Sequence, residues 1–111
     1  MLRGLLFVGA SALIGASFPA LGAETFRSTI VIKDHKFEPA ELKLPADKWI
    51  VLTVDNQDTT PEEFESSELK VEKVIPGGSK GVVRFGPLTA GRYPFFGEFN
   101  QATAQGAVVV E

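Results

Sequence analysis

Four glutamates crowd one short segment of this chain: Glu62, Glu63, Glu65 and Glu68, with Phe64 set among them. Carboxylates are hard oxygen donors, suited to iron(III), iron(II), manganese or calcium and less to copper(I). Two further groups could complete such a set. His35 is the only histidine, in the turn Asp34-His35-Lys36, and Glu98 lies in a loop near the C-terminal end. An imidazole with two or three carboxylates suits iron or copper(II). The bland alternative stands beside this one. A charge run is often a solvated strand end that protects a sheet edge, and a lone turn histidine is often plain surface. No nucleophile–base pair, phosphate loop or zinc signature is present, so hydrolase and transferase chemistry have no support in the sequence.

These residues must be held by strands. From residue 24 on, helical periodicity is absent, and Gly and Pro punctuate the chain every ten residues or so, which is the pattern of an all-β sandwich. Thr29-Ile30-Val31-Ile32, Glu41-Leu42-Lys43-Leu44 and Trp49-Ile50-Val51-Leu52-Thr53-Val54 read as strands. So do Leu69 to Ile75, Gly81 to Phe85, Arg92 to Phe96 and Gly106 to Val110. The expectation is a Greek-key β-sandwich of about seven or eight strands in two packed sheets. Alternation puts Glu63 and Glu65 on one face and Phe64 on the other, pointing into the core, with Glu62 on the Phe64 side. Trp49 reads as core. Of Phe95, Phe96 and Phe99, at least one ring is expected at the surface, where it would mark a docking patch.

Residues 1–23 resemble a secretory signal. Arg3 is their only charge, an apolar run from Leu5 to Leu21 follows, and Leu21-Gly22-Ala23 offers a cleavage site. Cleavage after Ala23 would leave 111 less 23, or 88 residues, as one domain (24–111), and would shift the net charge from −3 to −4. There are no cysteines, so no disulfide supports this small core. A mildly acidic surface argues against nucleic acid as a partner. Export with no second apolar segment points to the periplasm, with no stable membrane insertion after signal removal.

The stretch from Gly91 to Gly106 has a recognisable frame. Gly91-Arg92-Tyr93 and the residues that follow resemble the copper loop of cupredoxins, which reads G-x-Y-x-x-x-C, then His, then Met before Gly. Here the Cys slot is Gly97, the His slot Asn100 and the Met slot Gln105. Phe37-Glu38-Pro39, Val54-Asp55-Asn56, Pro76-Gly77 and the closing Gly106-x-Val108-x-Val110 extend the resemblance over about residues 26–111. Two segments resemble, more narrowly, the periplasmic cupredoxin components of bacterial ferrous-iron uptake. They are Asp34-His35-Lys36-Phe37-Glu38-Pro39 and the triplet Glu63-Phe64-Glu65.

That resemblance implies a periplasmic accessory that binds iron and/or copper and assists iron oxidation or transfer to a membrane iron permease. It leaves a ferroxidase-like step open. The triplet implies Glu63 with Glu65 as metal ligands. Pro61-Glu62 stands where a copper protein of this fold often has Pro-His, which implies Glu62 instead. His35 and Glu98 would complete either set. A blue-copper electron carrier is excluded, because a thiolate is needed for its charge-transfer band. The alternative is a metal-free interaction module in a periplasmic complex.

Overall fold

A computed structural model describes residues 23–111. The expected leader lies, but for Ala23, outside the described residues. Nine strands form: β1 (Thr25–Lys33), β2 (Lys36–Glu38), β3 (Glu41–Leu44), β4 (Trp49–Asn56), β5 (Glu62–Ser66), β6 (Val71–Ile75), β7 (Lys80–Phe85), β8 (Gly91–Gly97) and β9 (Gln105–Val110). One 3-10 turn, Glu98–Asn100, links β8 to β9. The count exceeds the expected seven or eight. The short β2, folded back on β1 by the turn at Asp34 and His35, is a strand that the sequence pattern does not separate from its turn.

The strands sort into two sheets, β2-β1-β4-β7 and β3-β9-β8-β5-β6. The chain changes sheet between β2 and β3, β3 and β4, β4 and β5, β6 and β7, and β7 and β8. Two pairs are parallel, β1 with β4 and β3 with β9, and the rest are antiparallel. Strict alternation supplies the core. Ile30, Ile32, Ile50, Leu52, Val54, Val83 and Phe85 face inward from one sheet. Leu42, Leu44, Phe64, Ile75, Phe95, Val108 and Val110 meet them from the other. Each fully buried side chain of this kind stabilises by about 1.5–3 kcal/mol. At one end Phe37, Phe64 and Phe95 pack as a triplet with centroids 4.9 to 5.8 Å apart. Their edge-to-face contacts add to simple burial.

The same alternation corrects one expectation. Trp49 is not core: it is 47% exposed. Ile50, Leu52 and Val54 take the inward positions of β4, so the period of two sends Trp49 outward. Charge is sorted as well. Arg27, Lys33, Lys36, Lys80 and Arg84 stand on the outer face of the four-stranded sheet against Glu38 and Asp55. Glu63, Glu65 and Glu72 stand on the outer face of the other sheet.

Candidate functional site: a closed interior and an acidic face

Strand β5 carries both candidate sites, one on each side. The loop that leads into it is pinned from within. Buried Asn56 donates from Nδ2 to the carbonyls of Thr60 (2.9 Å), Ile75 (3.1 Å) and Pro76 (3.3 Å). Its Oδ1 accepts from the Asp58 amide at 3.1 Å. This joins the β4–β5 loop to the β6–β7 turn and fixes where Pro61 and Glu62 enter the sheet. The inward side of β5 is then Glu62, Phe64 and Ser66, all buried.

Glu62 is the buried carboxylate of the molecule's described part, 1% exposed. Its Oε1 accepts from the amides of Glu63 (3.0 Å) and Phe99 (2.8 Å), and its Oε2 accepts from Asn100 Nδ2 (2.7 Å). Three donors satisfy it, two of them from the segment after β8, so a buried acid joins β5 to the β8–β9 connection. Gly97 lies directly against it. A β-carbon at Gly97 would sit 2.6 Å from the Glu62 carboxyl carbon and 2.7 Å from both Glu62 Oε2 and Ala104 Cβ. Any side chain at residue 97 therefore collides with the carboxylate. Gly97 N donates to Ala104 O (2.8 Å) and Ala104 N to Asn100 O (2.8 Å), which closes the loop around the acid.

The three slots marked in the sequence thus have structural meanings. Gly97 leaves the volume that Glu62 fills, and Asn100 supplies the hydrogen bond that holds it. Gln105 does not take part: its amide nitrogen reaches out to the Gln101 carbonyl at 2.9 Å. This interior does not fit a type-1 copper ion. It has no thiolate or imidazole, its one carboxylate is bonded to three donors, and the space beside Gly97 is filled by that carboxylate.

The outward side is different. Glu63 and Glu65 project from β5, and Glu72, opposite Glu65 on β6, joins them. Ligating oxygens of the three lie within 4.8 Å of one another. The Glu63 carboxyl is pushed above the usual carboxylate range by a hydrogen bond with Glu72, by desolvation and by the charges of Glu72, Glu65 and Glu98. Glu65 is pushed the same way by desolvation, by the charges of Glu72 and Glu98, and by a hydrogen bond with Glu98. No cation neutralises them in an ion pair; the two pairs among the described residues are Lys48–Glu24 and Arg92–Glu41. Three converging carboxylates, with the charge of Glu98 nearby, make an oxygen-only, negatively charged surface that suits a hard cation.

The sequence candidates therefore separate. Glu63 and Glu65 come together, with Glu98 near enough for its charge to act on both, while Glu62 is inside and cannot join them. Glu68 points to solvent beside Ser67, away from the cluster. His35 is held elsewhere: the Asp58 carboxylate accepts from the Asp34 (2.8 Å) and His35 (2.9 Å) amides, and His35 Nε2 lies 3.4 Å from Thr60 Oγ1. It does not belong to the converging acids. Glu72 was missed, although Leu69 to Ile75 alternates; only the cross-strand register places it opposite Glu65. Phe99 is the exposed ring of the loop, at 50%, while Phe95 is buried.

Comparison with known proteins agrees with this frame. An uncharacterized protein of Rickettsia prowazekii is 43% identical over 81 residues, which are 73% of this chain and 65% of that protein. The chain thus spans just under two thirds of that relative's length. Among solved structures, the metal-binding domain of a Cu(I)-exporting P-type ATPase of Streptococcus pneumoniae, solved with Cu(I), superposes with a TM-score of 0.67 at 19% identity, over 82% of this chain and 90% of that one. Auracyanin A, a blue copper protein of Chloroflexus aurantiacus, gives 0.66 at 15% identity, over 79% and 100%. A purple cupredoxin from Nitrosopumilus maritimus gives 0.60 at 18%, over 76% and 99%. At these identities the likeness is one of fold. The sequence matches the Cupredoxin-like domain family over residues 4–110, nearly its whole length, and the chain belongs to that family.

Proposed function

We propose that this chain is an exported metal-handling accessory that holds its cation on the acidic outer face, not in the interior of the sandwich. The cation would be iron or copper(II), bound by Glu63, Glu65 and Glu72 with Glu98 beside them, and passed to a membrane permease of an iron-uptake system. The observation that carries this reading is the convergence of three ligating carboxylates within 4.8 Å, none of them ion-paired to a lysine or arginine among the described residues. Like-charge repulsion raises the Glu63 and Glu65 carboxyls, and a cation relieves it, so the cation competes with protons and binds more strongly as pH rises. Copper-binding neighbours of the same fold support metal handling in general, and the carboxylate donors favour a harder ion than copper(I).

The test is an anaerobic calorimetric titration of the protein with iron(II) and, separately, copper(II), against a Glu63→Gln, Glu65→Gln double variant. The expected result is saturable one-site binding that the double variant weakens at least tenfold. Equal binding by both proteins would remove the acidic face from the reading. A second reading, a metal-free docking module, is favoured by the half-exposed Phe99 ring above the closed interior. It would gain from a partner complex that forms with metal content at background.

A further inference from the structure

We propose that the end of the four-stranded sheet that carries Trp49 and Phe26 rests on the surface of an anionic phospholipid bilayer. It lies on the sheet opposite the acidic face and does not depend on the metal reading.

Four observations converge on it. First, Trp49 and Phe26 are 47% and 37% exposed, the only large aromatics besides Phe99 that are so among the described residues. Second, they share one end of the fold. The parallel register of β1 and β4 pairs Thr25 with Trp49 and Phe26 with Ile50, so the rings lie in the first two rows of the sheet, Trp49 on its outer face and Phe26 on the side that Ile50 faces. Third, the next row on the Trp49 side is cationic. Val51 is paired with Arg27 on one side and Arg84 on the other. Both arginines are exposed, and neither is in an ion pair among the described residues. The acid closest in sequence, Glu24, is engaged by Lys48 at 2.9 Å. Fourth, the apolar run from Leu5 to Leu21 ends four residues before β1 begins at Thr25. A chain that keeps this run enters the sheet at this end.

Aromatic rings next to unpaired arginines are the composition of a membrane-interface contact: rings settle at headgroup depth while guanidiniums meet lipid phosphates. A soluble acidic protein would satisfy the charge but gives no reason for two exposed rings beside an apolar segment. The chain is net negative, at −3, so attraction must come from this local face and not from the molecule as a whole. The contact is peripheral; no strand enters the hydrocarbon.

The test uses residues 24–111, which contain all nine strands and the whole buried core, so that the apolar run does not itself insert. Trp49 is the only tryptophan, which makes its emission a direct reporter. With vesicles of phosphatidylglycerol and phosphatidylethanolamine, the emission should shift to the blue and be quenched by lipids brominated near the headgroup end of the acyl chains. Phosphatidylcholine vesicles should give little of either. An Arg27→Glu, Arg84→Glu variant, altered only at exposed positions, should bind at least roughly tenfold more weakly by vesicle sedimentation. No phosphatidylglycerol-dependent shift, or equal binding by the variant, overturns the proposal. So does an equal shift with soluble polyglutamate, which would mark the face as a protein-docking surface.

Discussion

Glu62 and Glu63 are neighbours on one strand and have opposite fates. Glu62 turns inward, is 1% exposed, and meets three hydrogen-bond donors within 3.0 Å. Glu63 turns outward and meets other carboxylates: Glu65, Glu72 and Glu98. The residue type is the same, and the period of the strand decides the chemistry. Inside, a carboxylate has taken the volume beside the Cys slot and serves as a structural tie. Outside, carboxylates gather with no ion-pair partner among the described residues, which is the arrangement a cation would stabilise. The lesson is that loss of an interior copper set does not by itself imply loss of metal handling: the two faces of β5 can be altered separately.

The comparison breaks hardest at Glu62. Glu62→Ala leaves the Glu63 amide, the Phe99 amide and Asn100 Nδ2 without an acceptor at a dry position. An unsatisfied buried donor costs about 1–3 kcal/mol. Partial relaxation into the vacated volume offsets some of this, and a net loss of about 3 kcal/mol or more is expected. Domains are typically stable by about 5–15 kcal/mol, so the effect is large. Urea unfolding of the two proteins should show it as a lower midpoint at an unchanged slope. If the midpoints agree, the interior acid is not the tie described above.

Gly97→Ala is the next largest. The new methyl would fall at 2.6–2.7 Å from Glu62 and from Ala104. Overpacking of this kind costs about 1–3 kcal/mol. The sharper measurement is the double variant. Glu62→Ala with Gly97→Ala places the methyl in volume that the carboxylate has left, so the second substitution should cost less in that background than alone. A coupling of about 1 kcal/mol or more in a double-mutant cycle would establish that the two residues share one volume. Additive losses would show that they do not.

Much of this was legible in the sequence, and the reasons differ by region. Strands such as β3 and β4 announce themselves because one face is buried, so Leu42 and Leu44, or Ile50, Leu52 and Val54, recur every second residue. β5 was legible in the same way: Phe64 inward forces Glu63 and Glu65 outward. The misreading of Trp49 came from composition, since a lone Trp suggests core, while the alternation of its own strand puts it outside. Glu72 and the role of Glu62 were not legible, because both depend on register and loop closure between segments distant in sequence. Glu72 meets Glu65 only through the β5–β6 ladder. Glu62 meets Asn100 only because the β8–β9 connection folds over β5. His35 was joined to the set by residue type and by resemblance, neither of which carries a distance, and the Asp58 carboxylate fixes its turn on a separate set of bonds.

The smallest expected effect tests the outer face without metal. Glu63 and Glu65 have their carboxyls raised above the ordinary range in the folded protein, by the Glu72 hydrogen bond and by desolvation respectively as the leading causes, with like charges adding to both. A carboxyl raised in the folded state favours folding while protonated, and that advantage is lost as pH climbs through the raised value. The acidic face is therefore neutral and harmless at low pH and self-repelling at neutral pH. Glu63→Gln, or Glu65→Gln, removes one charge from the cluster. Its melting temperature should exceed that of the parent by a small margin at pH 7, and the margin should vanish at about pH 4 and below, where carboxyls take up protons in either state. Glu62→Gln gives the contrast. It replaces one of the two acceptor oxygens with an NH2 donor, which leaves at least one of the three donors without an acceptor, so it should lower the melting temperature at pH 7. Opposite signs at adjacent residues would confirm the division of β5 into a structural side and a charge-bearing side; equal signs would abolish it.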